Sequence, residues 1–142
     1  MMLTSEFDVS TDRSRLDVAL IHGFLSRSSY WALGRSRALV ERSIENSLCF
    51  GAYRGDQQIG FARVITDYAV FGYVADVFVV AEFRRRGVAK LLMHAIVEHP
   101  ELKQLGAMLL GTRDAHGLYA QFGFTPLTKV DRWMEIRGPG YI

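Results

Sequence analysis

The run Val74–Ala89 sets the tightest limits on what this chain can fold into. It begins Val74-Ala75-Asp76-Val77-Phe78-Val79-Val80, an apolar, β-branched stretch of the kind that forms a buried strand. After Ala81-Glu82-Phe83 comes Arg84-Arg85-Arg86-Gly87-Val88-Ala89-Lys90, and Val88, Leu91, Leu92, Ala95 and Ile96 then recur at helical spacing. A strand therefore passes through a basic, glycine-bearing turn into a helix N-terminus. The first N–H groups of a helix lack intrahelical partners and carry partial positive charge, so this junction suits an anion. Gly87 lets a ligand approach the backbone closely, and Ala89 keeps the next turn small. The expected guest is a phosphate or pyrophosphate, with a solvated basic turn as the competing reading. Neither Gly-x-Gly-x-x-Gly nor Gly-Lys-Ser/Thr occurs, which sets aside the dinucleotide and P-loop patterns.

The remaining elements are placed around this junction. Glu6–Ser10 reads as a short first strand, and Thr11 or Asp12 as the cap of a helix with Leu16, Ala19, Leu20, Phe24 and Leu25 as its apolar positions. A polar and aromatic loop, Ser26–Arg35, precedes a second helix at about Arg37–Asn46, with Leu39, Val40 and Ile44 inward. Leu48–Tyr53 and Gln58–Ile65 read as a hairpin around Gly55-Asp56, and Thr66–Gly72 as the loop into the central strand. Beyond the Val88–Glu98 helix, His99-Pro100 ends the pattern. Ala107–Thr112 reads as a buried strand, His116–Gln121 as a short helix capped by Gly123, and Lys129–Arg137 as a last strand. The order is β-α-α-β-β-β-α-β-α-β, a mixed-sheet α/β domain (α+β in its sheet). The 142 residues match one domain spanning 1–142 with a core of its own.

Arg84-x-x-Gly87-x-Ala89 after an apolar strand resembles the Arg/Gln-x-x-Gly-x-Gly/Ala signature of the GNAT superfamily of acyl-CoA N-acyltransferases. Tyr119-Ala120-Gln121-Phe122-Gly123-Phe124, about thirty residues on, looks like that family's Tyr-x-x-x-Gly-Phe element. The element order is also the family's. The resemblance runs from about Cys49 to Phe124 and implies a GNAT-like fold with acetyl-CoA as co-substrate and no metal. It implies that Arg84, Arg85, Arg86, Gly87, Val88, Ala89 and Lys90 hold the pyrophosphate, and that Val77, Phe78 and Val79 line the bound cofactor. It also places the Tyr119 hydroxyl near the thioester sulfur. Many members carry asparagine seven residues before that tyrosine. Here the position is Thr112, whose hydroxyl replaces only part of the amide's hydrogen bonding to the pantetheine arm.

N-acylation needs a neutral amine, and a lysine-like amine with a reference pKa of about 10.4 is almost wholly protonated at pH 7. A phenol of pKa about 10 is protonated there, so Tyr119 is the candidate acid for the departing thiolate, against a plain core tyrosine. Asp76 interrupts an apolar strand. By period two it shares a face with Val74, Phe78 and Val80. Burial would raise its pKa and suit a general base, and pairing to an arginine or to backbone amides would make it structural instead. Asp114 and His116 are the second candidates, or else caps of the short helix. The family builds its acceptor pocket from the first two helices, their loop and the loop before the central strand. Those segments supply Phe24, Tyr30, Trp31, Arg35, Asp67 and Tyr68, an aromatic wall suited to a small amine bearing an acidic or aromatic group.

Composition excludes some functions. A net charge of +2 supplies too little electrostatic attraction for nucleic acid or a membrane surface. The one cysteine, Cys49, forms no internal disulfide framework and suits a reducing, cytoplasmic setting. Its apolar strand makes it a poor nucleophile. The leading expectation is an acetyl-CoA-dependent N-acetyltransferase acting on a small-molecule amine by direct attack, with a homodimer as an option. A non-catalytic acyl-CoA sensor and acetylation of a protein or peptide amine are the alternatives.

Overall fold

The computed structural model describes residues 6–139. Its strands are β1 (Asp8–Ser10), β2 (Leu48–Arg54), β3 (Gln57–Thr66), β4 (Phe71–Val79) and β5 (Ala107–Leu110). They form one sheet in the order β1-β2-β3-β4-β5. Pairing is antiparallel from β1 to β4 and parallel between β4 and β5. The helices are α1 (Val18–Arg27), α2 (Arg37–Glu45), α3 (Val88–Glu98) and α4 (His116–Ala120). The expected mixed-sheet α/β fold is therefore present.

Each face of the sheet carries its own core. On one face Val88, Leu92, Met93 and Ile96 of α3 pack on Phe50, Ala52, Ile59, Ala62, Val64 and Val74. Tyr119, Phe122 and Phe124 extend this layer. On the other, Ile21 and Leu25 of α1 and Val40 and Ile44 of α2 pack on Cys49, Phe61 and Phe78. Burying large apolar side chains at about 1.5–3 kcal/mol each is the main stabilising term on both faces.

Local capping corrects several expected boundaries. The Asp12 carboxylate accepts from Ser14 N at 3.0 Å, but it caps only a 3-10 turn, Arg13–Arg15. Leu16 and Asp17 are extended, and Asp17 then caps α1 by accepting from Leu20 N at 3.0 Å. Two short carboxylate caps five positions apart divide what periodicity reads as one helix. Leu39 points to solvent, leaving Val40 and Ile44 as the buried face of α2.

Two differences bear on function. First, β4 contains a bulge. Arg63 lies opposite Ala75 and Phe61 opposite Phe78, so Ala62 faces both Asp76 and Val77. Asp76 is left-handed, with φ 54°. The extra residue inverts the alternation. Val74 packs with α3, whereas Phe78 packs with α1 and α2, and Val77 and Val79 take over the α3 side. Asp76 thus shares no face with Val74, because period two holds only while a ladder is unbroken. Second, Lys129–Arg137 forms no strand. Lys129 is left-handed, Val130–Arg132 is a 3-10 turn, and the tail beyond it is irregular. Among the described residues no ladder partner lies along it, and a strand without one leaves its backbone groups to water.

Candidate active site

β4 and β5 are paired from Phe71 opposite Ala107 to Val74 opposite Leu110. β5 ends there and β4 continues to Val79, so the two part company at the level of the Asp76 bulge. At the C-terminal end of β4 the chain makes a 3-10 turn, Ala81–Phe83, and enters the basic turn. Arg85 and Gly87 are both left-handed, with φ 63° and 84°. Gly87 is the N-cap of α3, and no side chain hydrogen-bonds there. The first amides of α3 therefore face outward without a protein acceptor. A Cβ at Gly87 would meet nothing within 4 Å, so the concavity is open. A run of left-handed residues leading into a helix is a backbone anion cradle.

The three arginines play different parts. Arg86 Nη2 is 2.7 Å from Glu6 Oε1, and its guanidinium lies over the rings of Phe7 and Phe83 at 5.1 and 5.3 Å. That arginine is a strut between the turn and β1. Arg84 donates from Nε to Val79 O at 3.2 Å and reaches over Phe24 at 6.0 Å, tying the turn back to the strand. Among the described residues Arg85 and Lys90 carry no ion pair and are exposed, which leaves them as the cations available to an anion.

Asp76 is the hub of a buried polar cluster. Its side chain is 2% exposed. It accepts from Arg63 Nε at 2.6 Å, Arg35 Nη1 at 2.9 Å and Trp31 Nε1 at 2.8 Å. Arg63 also donates to Ser47 Oγ at 3.1 Å. Two guanidinium groups and an indole occupy the lone pairs that a base would need, so the carboxylate reads as an anchor. What it anchors is the α1–α2 loop, through Trp31 and Arg35. Arg63 escaped the sequence reading, although an arginine in an apolar strand signals a buried carboxylate partner.

The same loop reaches across to the end of β5. Arg113 N donates to Tyr30 Oη at 3.0 Å, and the Arg113 guanidinium lies 3.9 Å over the Tyr30 ring. Tyr30 meets Trp31 edge to face at 5.0 Å. Phe24 stacks on Phe78 at 4.1 Å with the rings 7° apart, so Phe78 is a core residue of β4. Phe24, Tyr30, Trp31 and Arg35 are thus brought together around the parted strands. Tyr68 is not. It sits in the loop held by Asp67, which accepts from Ala69, Val70 and Phe71 N, at the opposite, N-terminal end of β4.

Tyr119 stands on α4, half-buried, with Phe124 edge to face at 6.2 Å. Its hydroxyl has no hydrogen-bond partner among the described residues. Burial raises its pKa above the ordinary tyrosine value, and Tyr30 and Asp114 push the same way. The phenol is therefore a proton carrier throughout the neutral range. Thr112 Oγ1 accepts from Ala115 N at 3.0 Å and so orders the approach to α4. Asp114 forms no cap. It is exposed and 3.7 Å from Arg113 Nη2. His116 is exposed on α4. Among the described residues no group of three or more His, Cys, Asp or Glu is placed to hold a metal ion, and no helix is long and apolar enough to cross a membrane.

Residues 45–126 match the family model described as the acetyltransferase (GNAT) domain. A curated protein of Gibberella zeae, named "putative acetyltransferase", is 31% identical over 95% of this chain and 91% of its own length. A crystal structure from Xanthomonas campestris pv. campestris, titled a "putative acetyltransferase belonging to the gnat family", is 50% identical and covers 96% of both chains with a TM-score of 0.92. A Clostridium acetobutylicum structure solved with acetyl-CoA is 16% identical over 92% of this chain and 94% of its own, with a TM-score of 0.66, and shares the fold. With a family model across more than half its length and a curated relative 31% identical over 95% of it, the chain belongs to the GNAT superfamily of acetyltransferases.

Proposed function

We propose that the protein is an N-acetyltransferase that moves the acetyl group of acetyl-CoA to a primary amine of a small molecule by direct attack. The combination that carries this reading is an α3 terminus without a side-chain cap, β4 and β5 parting beyond Val74, and a Tyr119 hydroxyl without a hydrogen-bond partner among the described residues. The amides after Gly87, with Arg85 and Lys90, suit the pyrophosphate. The parted strands leave edge backbone groups of β4 free to bind an extended amide-bearing arm. In the transfer step the amine nitrogen forms a bond to the thioester carbonyl carbon and the C–S bond breaks. The phenol of Tyr119 gives its proton to the departing thiolate, and the amine's proton leaves through water toward Asp114 or His116. Asp76 takes no proton in this scheme and positions the acceptor loop through Trp31 and Arg35. The acceptor is set between that loop and Arg113, a cation suited to an acidic group on the amine.

Titration with acetyl-CoA, followed by thiol release across a panel of amines, tests the reaction, and Tyr119→Phe tests its acid. The variant keeps the ring and should bind acetyl-CoA with an unchanged Kd. Its kcat should fall by about 10²-fold, the lower end for a positioned acid, since a thiolate leaves readily. Binding without thiol release from any amine would identify a sensor instead, and an unchanged kcat where chemistry limits the rate would remove Tyr119 from the step.

A further inference from the structure

The α1–α2 loop and the cluster beneath it hold more positive charge than they pair. Residues 26–40 contain Arg27, Arg35 and Arg37 and no acidic side chain. Among the described residues Asp76 is the one buried carboxylate, and it receives two guanidinium groups, Arg63 Nε at 2.6 Å and Arg35 Nη1 at 2.9 Å. Two positive charges against one negative leave one in excess. Arg63 is the better satisfied of the two, since its side chain is 11% exposed and also donates to Ser47 Oγ. Arg35 is the surplus cation. Its side chain is 25% exposed, and neither its Nε nor its Nη2 makes a hydrogen bond among the described residues. A partly buried guanidinium with idle donors is costly without a counter-ion.

A further guanidinium stands at the other end of the same aromatic pair. Trp31 donates to Asp76, Tyr30 meets Trp31 edge to face, and Arg113 lies over the Tyr30 ring at 3.9 Å. A continuous chain of contacts thus runs from Arg35 through Asp76, Trp31 and Tyr30 to Arg113. Stacking holds a guanidinium by its face and leaves its edge donors open. The ion-pair partner of Arg113 is Asp114, which lies 3.7 Å away, too far for a hydrogen bond, and is itself exposed. An ammonium ion approaching this region meets a field of its own sign. An amine that carries its own carboxylate brings the missing counter-ion with it, and a guanidinium edge matches a carboxylate two donors to two acceptors. Repulsion of the wrong partner serves selectivity as much as attraction of the right one. We propose, building on the transfer reading above, that the acceptor is a zwitterion, a primary amine with a carboxylate a few bonds away, as in an amino acid. Arg113 and Arg35 select it against polyamines, simple aralkylamines and lysine-rich protein segments.

Matched pairs test this: the common amino acids with neutral or basic side chains, each beside the amine left by removing its carboxylate. Thiol release is followed at saturating acetyl-CoA, and binding by calorimetry with CoA present. The best amino acid should have a kcat/KM about tenfold to a hundredfold above that of its decarboxylated partner, the range of a charge-assisted pair. Arg113→Gln changes an exposed side chain, so the melt should stay cooperative while the KM for that amino acid rises about tenfold. Arg113→Lys should restore part of the loss. Added salt should raise the KM of the amino acid and lower that of the bare amine, a split that an arginine with a merely structural role would not produce. Decarboxylated amines that react as well as every amino acid overturn the proposal and leave the transfer reading standing. A KM that ignores Arg113→Gln overturns it, and so does an absence of both binding and thiol release with every amino acid. Amino-acid binding that depends on Arg113, without thiol release from any amine, upholds the selection of zwitterions and overturns the transfer reading.

Discussion

At the scale of single residues, Asp76 shows how position decides chemistry. Its carboxylate satisfies Arg63, Arg35 and Trp31 together. Removing one member of a buried ion pair strands the other, at a cost of about 3–5 kcal/mol. Asp76→Asn should therefore lower unfolding free energy by about 3 kcal/mol in denaturant melts and raise KM for the amine as the α1–α2 loop loosens. A catalytic base would instead leave stability intact and change the pH profile of kcat. Cys49 offers a second test. Burial pushes its thiol from the ordinary 9.0 up to about 11, with Arg13 and Arg63 opposing in part. Its folded pKa exceeds the unfolded one, so the contribution is complete below pH 9 and is lost as pH rises toward 11. Stability should fall by up to about 3 kcal/mol across that window, and Cys49→Ala should flatten the fall. A wild-type curve that matches the alanine variant would remove this account.

At the scale of elements, the strand–turn–helix junction was legible because its three signals are local: β-branched run, glycine, helical period. α3 begins and ends where periodicity places it, at Val88 and Glu98. In the proposed reading the turn binds through backbone more than through charge. Gly87→Val puts a β-branched side chain on a residue with φ 84° and into the open cradle. It should weaken acetyl-CoA binding by tenfold or more by calorimetry, whereas Arg85→Ala, losing one exposed cation, should cost a few-fold. Equal small losses would remove the cradle. α1 was misread because Asp12 and Asp17 are both good caps and sequence alone does not say which one starts the α-helix. Lys129–Arg137 was misread because its apolar residues suggest a strand, whereas the chain there passes from a left-handed Lys129 into a 3-10 turn and an irregular run with no ladder among the described residues.

At the scale of the whole molecule, the fold was legible and the site only half so. The proposed cofactor end depends on a short contiguous motif, whereas the proposed acceptor end depends on contacts 41 and 83 residues apart, such as Arg35 with Asp76 and Arg113 with Tyr30. No periodicity reports those. Nor does it report the bulge, which is a backbone event at one residue. That bulge has a consequence in the language of insertions and deletions. β4 is written in two phases, and Asp76 is the inserted letter after which the even-numbered positions change faces, from Val74 on the α3 side to Phe78 on the side of α1 and α2. Deleting Asp76 would restore a regular ladder with Val77 and Val79 still on the α3 side and Phe78 still on the other, so its cost is the lost carboxylate and not an inverted strand. Deleting one residue from the loop 67–70 shortens a surface connection and moves no core side chain across the sheet. The first deletion should lower the thermal midpoint by leaving Arg63, Arg35 and Trp31 without their shared acceptor, and the second should leave a cooperative transition near the wild-type midpoint.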